Sequence, residues 1–274
     1  MLSRKTAEDA LTYIILVIAG TISISPFLWA FMTSLKPADV AGLPSVVIFE
    51  PTSSNYSSLF EVHNFGRYFL DSVIVAGLST LFSLVLGIPA AYSFARFKFR
   101  GSDDLAVWTL SIRMLPAVAT IIPIYLIMNQ ARLLDNYLAL IVTYPIPLLP
   151  LIIWILREFF KEVPMEIEEA AMVDGCDRLQ AFYKITLPMA ASGVSAAGAL
   201  CFIMAWNEFF FALILAGGNV RTLPVAISGL WTHTGILIGS MSAAVTLGLI
   251  PALVLSFIIR KYLVSGLTFG ALKG

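Results

Sequence analysis

KEVPMEIEEAAMVDGCDRLQAFYKITLP, residues Lys161 to Pro188, decides how this chain is read. Its first half has the marks of a short helix. Pro164 suits a first helical turn, where a missing N–H costs little, and Glu166, Glu168 and Glu169 are favoured near the positive N-terminal end. Gly175 supplies a C-terminal stop. Between them Ile167, Ala170, Ala171 and Asp174 fall on one face at helical spacing. The two alanines keep that face small enough for another protein's surface to approach closely. Gly175 then turns the chain into a second short helix, expected from about Asp177 to Ile185, and Pro188 marks the entry to the apolar stretch that follows. A solvated amphipathic linker would share some of these features, so the surroundings have to decide.

Those surroundings are apolar. The chain has 274 residues, 59% of them hydrophobic and 12% charged, whereas an ordinary soluble domain has roughly 25% charged residues. Its mean hydropathy is +0.89, and a soluble core of this length could not hide so much apolar surface. A bilayer core needs about 20 mostly apolar residues per helix. Six stretches qualify: residues 11–32, 69–95, 105–128, 137–156, 189–216 and 241–259. The expected fold is therefore an all-α membrane protein, a single transmembrane domain over residues 1–274, with residues 157–188 as a polar loop between the fourth and fifth spans. The first stretch exceeds the roughly 7 to 15 residues of a signal-peptide core and has no clear small-residue cleavage site, so it is expected to be retained as a span. Cys176 and Cys201 are the only cysteines, and neither CxxC nor zinc spacing occurs.

Seventeen basic and seventeen acidic residues cancel, which leaves no global field to attract nucleic acid. Their distribution carries more information. Lysine and arginine are retained on the cytoplasmic side. If all six stretches cross, one side holds Arg4, Lys5, Arg96, Lys98, Arg100, Arg157, Lys161, Arg178, Lys184, Arg260, Lys261 and Lys273, and the other holds Lys36, Arg67, Arg132 and Arg221. This asymmetry predicts that both termini and the 157–188 loop are cytoplasmic. His63 and His233 then fall in outer segments, too far apart in sequence to suggest a metal site, and are expected at the surface.

The spans hold many prolines, among them Pro26, Pro89, Pro116, Pro123, Pro145, Pro147, Pro150 and Pro251, and kinked helices are expected. Small residues recur every fourth position as Ser83, Gly87, Ala91 and Ala95, and again as Gly193, Ala197, Cys201 and Ala205. Such ladders let helix backbones approach closely, which ordinary bundle packing explains.

The run Glu169, Ala170, Ala171, Asp174, Gly175, then Phe182, Ile185, Leu187 and Pro188, resembles the EAA loop of bacterial ABC importer permeases. The spacing from the acid through the glycine to the final Leu-Pro carries the resemblance; EAA alone would be weak. AAYSFARFKFRG (Ala90 to Gly101), RMLP (Arg113 to Pro116), AWNEFFFAL (Ala205 to Leu213) and VSGLTFGALKG (Val264 to Gly274) are similar to the carbohydrate-importer branch, above all to the maltose-type second permease subunit. This chain departs from the family at Ser192, where proline is frequent, and at Asp71-Ser72, where Asn-Ser is frequent.

The resemblance implies a type I ABC importer permease fold of six transmembrane helices with a cytoplasmic coupling helix, in the bacterial inner membrane. It implies a second homologous permease, two ABC ATPase subunits that bind the ATP and magnesium, an extracytoplasmic solute-binding protein and a sugar-like solute. It assigns ATPase docking to Glu168, Glu169, Ala170, Ala171, Asp174, Gly175, Phe182 and Pro188, with Glu169 and Asp174 pairing with basic groups on the ATPase. No cofactor is expected in this chain, and no GxxxxGK[ST] phosphate loop occurs.

Polar residues inside a bilayer are functional candidates by default. Trp206, Asn207 and Glu208 could offer a sugar a stacking surface and hydrogen-bond partners, or bond to neighbouring helices or to the other permease. Arg113 could snorkel, pair with Glu208 or line a cavity. An ion-gradient-driven secondary transporter is the alternative reading, but it calls for inverted repeats and midplane carboxylates, and Glu208 is the only acid well inside a span. An intramembrane enzyme would need HExxH, GxSxG or paired intramembrane aspartates, and none is present.

Overall fold

The computed structural model describes residues 2–232 and 235–271. His233 and the last three residues of the expected tail, 272–274, lie outside them. The chain is helical almost throughout: α1 (Leu2–Ser34), α2 (Ser54–Glu61), α3 (Phe65–Arg96), α4 (Ser102–Ser111), α5 (Ala117–Gln130), α6 (Tyr137–Thr143), α7 (Pro145–Glu162), α8 (Met165–Val173), α9 (Arg178–Ala181), α10 (Leu187–Met189), α11 (Ala191–Trp206), α12 (Phe210–Leu215), α13 (Leu223–Ser228) and α14 (Ile238–Ala271). Two two-residue strands, β1 (Trp231–Thr232) and β2 (Gly235–Ile236), pair antiparallel with Trp231 opposite Ile236.

Four helical segments are long and apolar enough to cross a membrane: Leu11–Ser34, Phe65–Arg96, Tyr137–Glu162 and Ile238–Arg260. Two bent pairs raise the number to six if each is one span. Ser102–Met114 and Ala117–Gln130 meet at 92°, and Arg178–Met189 and Ala191–Trp206 meet at 73°. The first bend falls at Leu115-Pro116. Proline disfavours the helical region for the residue before it, and Leu115 is extended at φ −67 and ψ 125. Pro26, Pro89, Pro123, Pro150 and Pro251 stay inside continuous helices. The expected fifth span, 189–216, is helical only to Trp206 and restarts at Phe210.

The fold divides into two compact units. Residues 1–66 with 227–250 form one. In it Asn55 Nδ2 donates to the carbonyls of Ser34 and Lys36, both at 2.8 Å, and Ser34 Oγ lies 2.7 Å from Tyr56 OH. Lys36 is buried; its Nζ donates to Leu43 O at 3.1 Å and sits over the rings of Trp29 and Phe49. The apolar window of α1 is unburied along its whole length.

Residues 67–226 with 251–274 form the other unit, built around α3, α7 and α11. On α7, Leu148, Ile152, Leu156 and Phe160 recur every fourth residue and are all buried. Gly87 of α3 faces Ile152, so close that an added Cβ would sit 2.5 Å from Ile152 Cγ2. Gly193 of α11 faces Phe159 of α7 in the same way, and Gly198 faces Leu84 of α3 at 3.2 Å. The small-residue ladders thus mark where these helices touch, because without a side chain the backbones can close to van der Waals distance.

Candidate functional site

The site is assembled from the end of α7 onward. Val163 leaves the helix at ψ 120, and Pro164, at φ −59 and ψ 133, holds the N-cap position of α8. Glu166 and Glu168 lie in the first turn, where carboxylates complement the helix dipole. The other end closes on backbone alone. Gly175, at φ +95, donates to Met172 O at 3.1 Å, and Cys176 donates to Ala171 O at 3.0 Å. These are the paired bonds of a Schellman cap, which needs a residue in the left-handed region at this position, and glycine enters it without steric cost. Asp177 then starts α9 through a capping box: its Oδ1 accepts from Gln180 N at 2.7 Å, and Gln180 Oε1 accepts from Asp177 N at 3.4 Å. From Phe182 to Thr186 the helix widens into a π turn, with Leu187 N bonding back to Phe182 O. Pro188 follows in the first turn of α10, where it supplies no donor for the preceding turn.

The carboxylate of Glu168 is the centre of the site. It is 4% exposed. Its Oε1 accepts from Arg96 Nε at 2.7 Å and from Thr186 Oγ1 at 2.7 Å, and its Oε2 accepts from Tyr92 OH at 3.0 Å. Arg96 donates in addition from Nη2 to Val163 O at 2.7 Å. Around these bonds the rings of Tyr92, Phe160 and Phe182 pack together, with Tyr92 and Phe182 centroids 4.4 Å apart. The end of α3, the end of α7, α8 and the π turn are therefore tied at one point.

Of the eight residues expected to dock another chain, Glu169, Ala170, Asp174, Gly175 and Pro188 are exposed and Ala171 is half-buried. Glu168 and Phe182 are turned inward and buried instead, because the Arg96 guanidinium and the aromatic cluster take them up. Ile167 and Val173 add exposed apolar surface to α8. Tyr92, Arg96 and Thr186 had no place in the sequence-level site. The available signal was the four-residue spacing of Tyr92 and Arg96, which puts both on one face of α3.

The four residues expected along the solute path do not converge in one cluster. Trp206 is buried, edge-on to Phe69 with centroids 5.4 Å apart and stacked on Phe202 at 5.9 Å. Asn207 is exposed, and its Nδ2 donates to Ile203 O at 2.7 Å. Glu208 accepts from Phe211 N at 3.0 Å and Ala212 N at 3.3 Å, capping α12 after the break. Arg113 is exposed on the 3-10 turn at the 92° bend. Among the described residues the ion pairs are Arg96–Glu168, Arg157–Asp103 and Lys161–Glu158, so Arg113 does not pair with Glu208.

A second polar cluster holds the segment after α12. Asp135, itself at φ +58, accepts from the N–H groups of Gly217, Gly218, Asn219 and Val220 at 2.7–3.2 Å. Partial burial works against ionisation, but these four donors outweigh it and hold the Asp135 carboxyl below its ordinary value. Asp71 accepts from Arg221 N at 3.1 Å and Tyr137 OH at 2.6 Å, and Ser72 Oγ accepts from Leu223 N at 2.6 Å. The Asp71-Ser72 departure thus serves to pin this segment.

Residues 83–269 match the family described as binding-protein-dependent transport system inner membrane component. The probable ABC transporter permease protein y4oR of Sinorhizobium fredii is 35% identical, over 99% of this chain and 98% of that one. The trehalose/maltose transport system permease protein MalG of Thermococcus litoralis is 33% identical, over 97% of this chain and 99% of that one. A crystal structure of a bacterial ABC transporter involved in the import of the acidic polysaccharide alginate superposes with a TM-score of 0.75 at 20% identity, covering 94% of this chain and 96% of that one, and shares the fold. With the whole length matched, and a capped helix carried between apolar spans, the chain belongs to the binding-protein-dependent inner-membrane component family and is a multi-pass permease subunit of an ATP-binding-cassette importer.

Proposed function

We propose that this permease forms half of the path for a sugar or related solute and is driven through α8 by partner ATPases. The observation that carries the reading is the build of α8: fixed at both ends, anchored from below by Glu168, and exposing Glu169, Ala170, Val173 and Asp174. That is the build of a lever with a free contact face. The basic residues flanking it favour a cytoplasmic loop and cytoplasmic termini. ATP and magnesium are then bound by two ATPase subunits outside this chain, and a second homologous permease completes the path.

The sugar-like solute is supported by the trehalose/maltose permease among the relatives. Delivery by an extracytoplasmic binding protein is supported by the family description and by an alginate transporter crystallised with a pentasaccharide-bound periplasmic protein. Of the candidate path residues, Asn207 and Arg113 are assigned to solute, since each is exposed at a break in a helix. Trp206 and Glu208 support the break at Asn207.

The test is purification of the tagged full chain, co-expressed with its neighbouring transport subunits, in mild detergent. A second permease and two ATPase copies are expected to co-purify, and reconstituted vesicles supplied with the binding protein should take up radiolabelled trehalose or maltose only with ATP. Reproducible absence of the ATPases overturns the reading, whereas their presence without uptake of either disaccharide rules out trehalose and maltose alone.

A further inference from the structure

This inference rests on the docking role proposed for α8 and concerns what fastens that helix to the spans it has to move. Glu168 leaves α8 on the side opposite the exposed Ala170 and Asp174. Its buried carboxylate gathers donors from Arg96 and Tyr92 of α3 and from Thr186 of the π turn. Arg96 spends its second donor on Val163 O, the peptide immediately before Pro164. One guanidinium therefore holds α8 at its entry and on its first turn. Thr186 comes from the other direction, since the turn it occupies leads through α10 into α11. π turns are rare and concentrate at functional positions.

A buried ion pair is weak evidence of extra stability, because apolar side chains of similar volume often hold a fold equally well. What directional bonds to one carboxylate add is orientation: α8 cannot roll or tilt without breaking bonds to α3 and to the π turn together. We propose that Glu168, Arg96 and Thr186 form a positioning joint that makes α8 move as one body with the ends of α3 and α11, so that a push on the exposed face reaches the spans. These are positioning residues, and Glu168 is not itself a contact to the ATPase.

The test uses the complete importer in proteoliposomes, with and without ATP plus orthovanadate. It reads amide hydrogen exchange over residues 207–223, a segment beyond the far end of α11. Wild type is expected to change its exchange there when nucleotide is trapped. Thr186→Val, which keeps the shape and removes the hydroxyl, should retain its ATPases and trap nucleotide yet show a response smaller by about five-fold or more. Thr186→Ser should restore the response, which a purely steric role for Thr186 would not predict. Arg96→Gln should behave like Thr186→Val, and if it fails to accumulate, the Thr186 pair decides. The joint is overturned if Thr186→Val responds as wild type does, or if it loses its ATPases in proportion to its response. A wild-type preparation without ATPases sinks the docking reading and the joint with it; an equal response with ATPases present sinks the joint alone.

Discussion

At the scale of single residues, Gly175 and Asp135 do work that no other residue type does as well. Gly175 sits at φ +95 with open space around its missing side chain. A substitution there meets no neighbour, and its whole cost is backbone strain, about 1–2 kcal/mol for an ordinary L-residue in the left-handed region. Gly175→Val should therefore lower ATP-driven uptake and solute-stimulated ATPase activity together, while Gly175→Asn, which tolerates the left-handed region better, should fall between. Unchanged uptake in Gly175→Val would remove the turn from the coupling route. Asp135 gives a pH dependence with a definite sign. Its folded-state carboxyl is depressed, so its contribution is present above the ordinary carboxylate range and is lost as pH falls through the folded value. Asp135→Asn should lower thermal stability in detergent at pH 7 by an amount on the order of 1–2 kcal/mol. The gap between variant and wild type should close as both are taken toward pH 3, and a gap that persists would mean the charge is not what holds residues 217–220.

At the scale of elements, the parts legible in the sequence were those whose causes are local. The start of α8 at Pro164, its stop at Gly175 and the restart at Asp177 are each set by residues within one turn, and each was expected where it occurs. The ladders through Gly87 and Gly193 were legible as contact faces for the same reason, since period and size are local properties. The fate of Glu168 was not. Its partners Tyr92 and Arg96 lie 76 and 72 residues away, and no pattern near Glu168 distinguishes an inward carboxylate from the outward one at Glu169. The break at Asn207 was missed because it contains neither proline nor glycine; Glu208 makes it by capping α12. The contact reading of the ladders can be checked by comparing two glycines of α3. Gly87→Ala would force a Cβ against Ile152, whereas Gly77→Ala meets nothing within 4 Å. Overpacking typically costs about 1–3 kcal/mol, so Gly87→Ala should lower the thermal midpoint of the purified chain and Gly77→Ala should leave it near wild type. Equal midpoints would mean that α3 and α7 do not rely on this approach.

At the scale of the whole molecule, α8 is tied on one side to α3 and the π turn through Glu168 and left open on the other, and that exposed face should tolerate polarity better than bulk. Ala170→Trp on that face is expected to reduce co-purified ATPase by about ten-fold, the effect of some 1.4 kcal/mol lost at the contact, without lowering the amount of chain in the membrane. A wild-type yield of ATPase would show that the partner docks elsewhere. The unburied α1 has a different bearing, on synthesis. Its apolar window is unburied, and a helix whose backbone bonds are internal can be stable in lipid without neighbours. Because this segment precedes the other apolar helices along the chain, it can settle in the bilayer before they are made. It would then serve as the tether against which the later, broken helices are threaded.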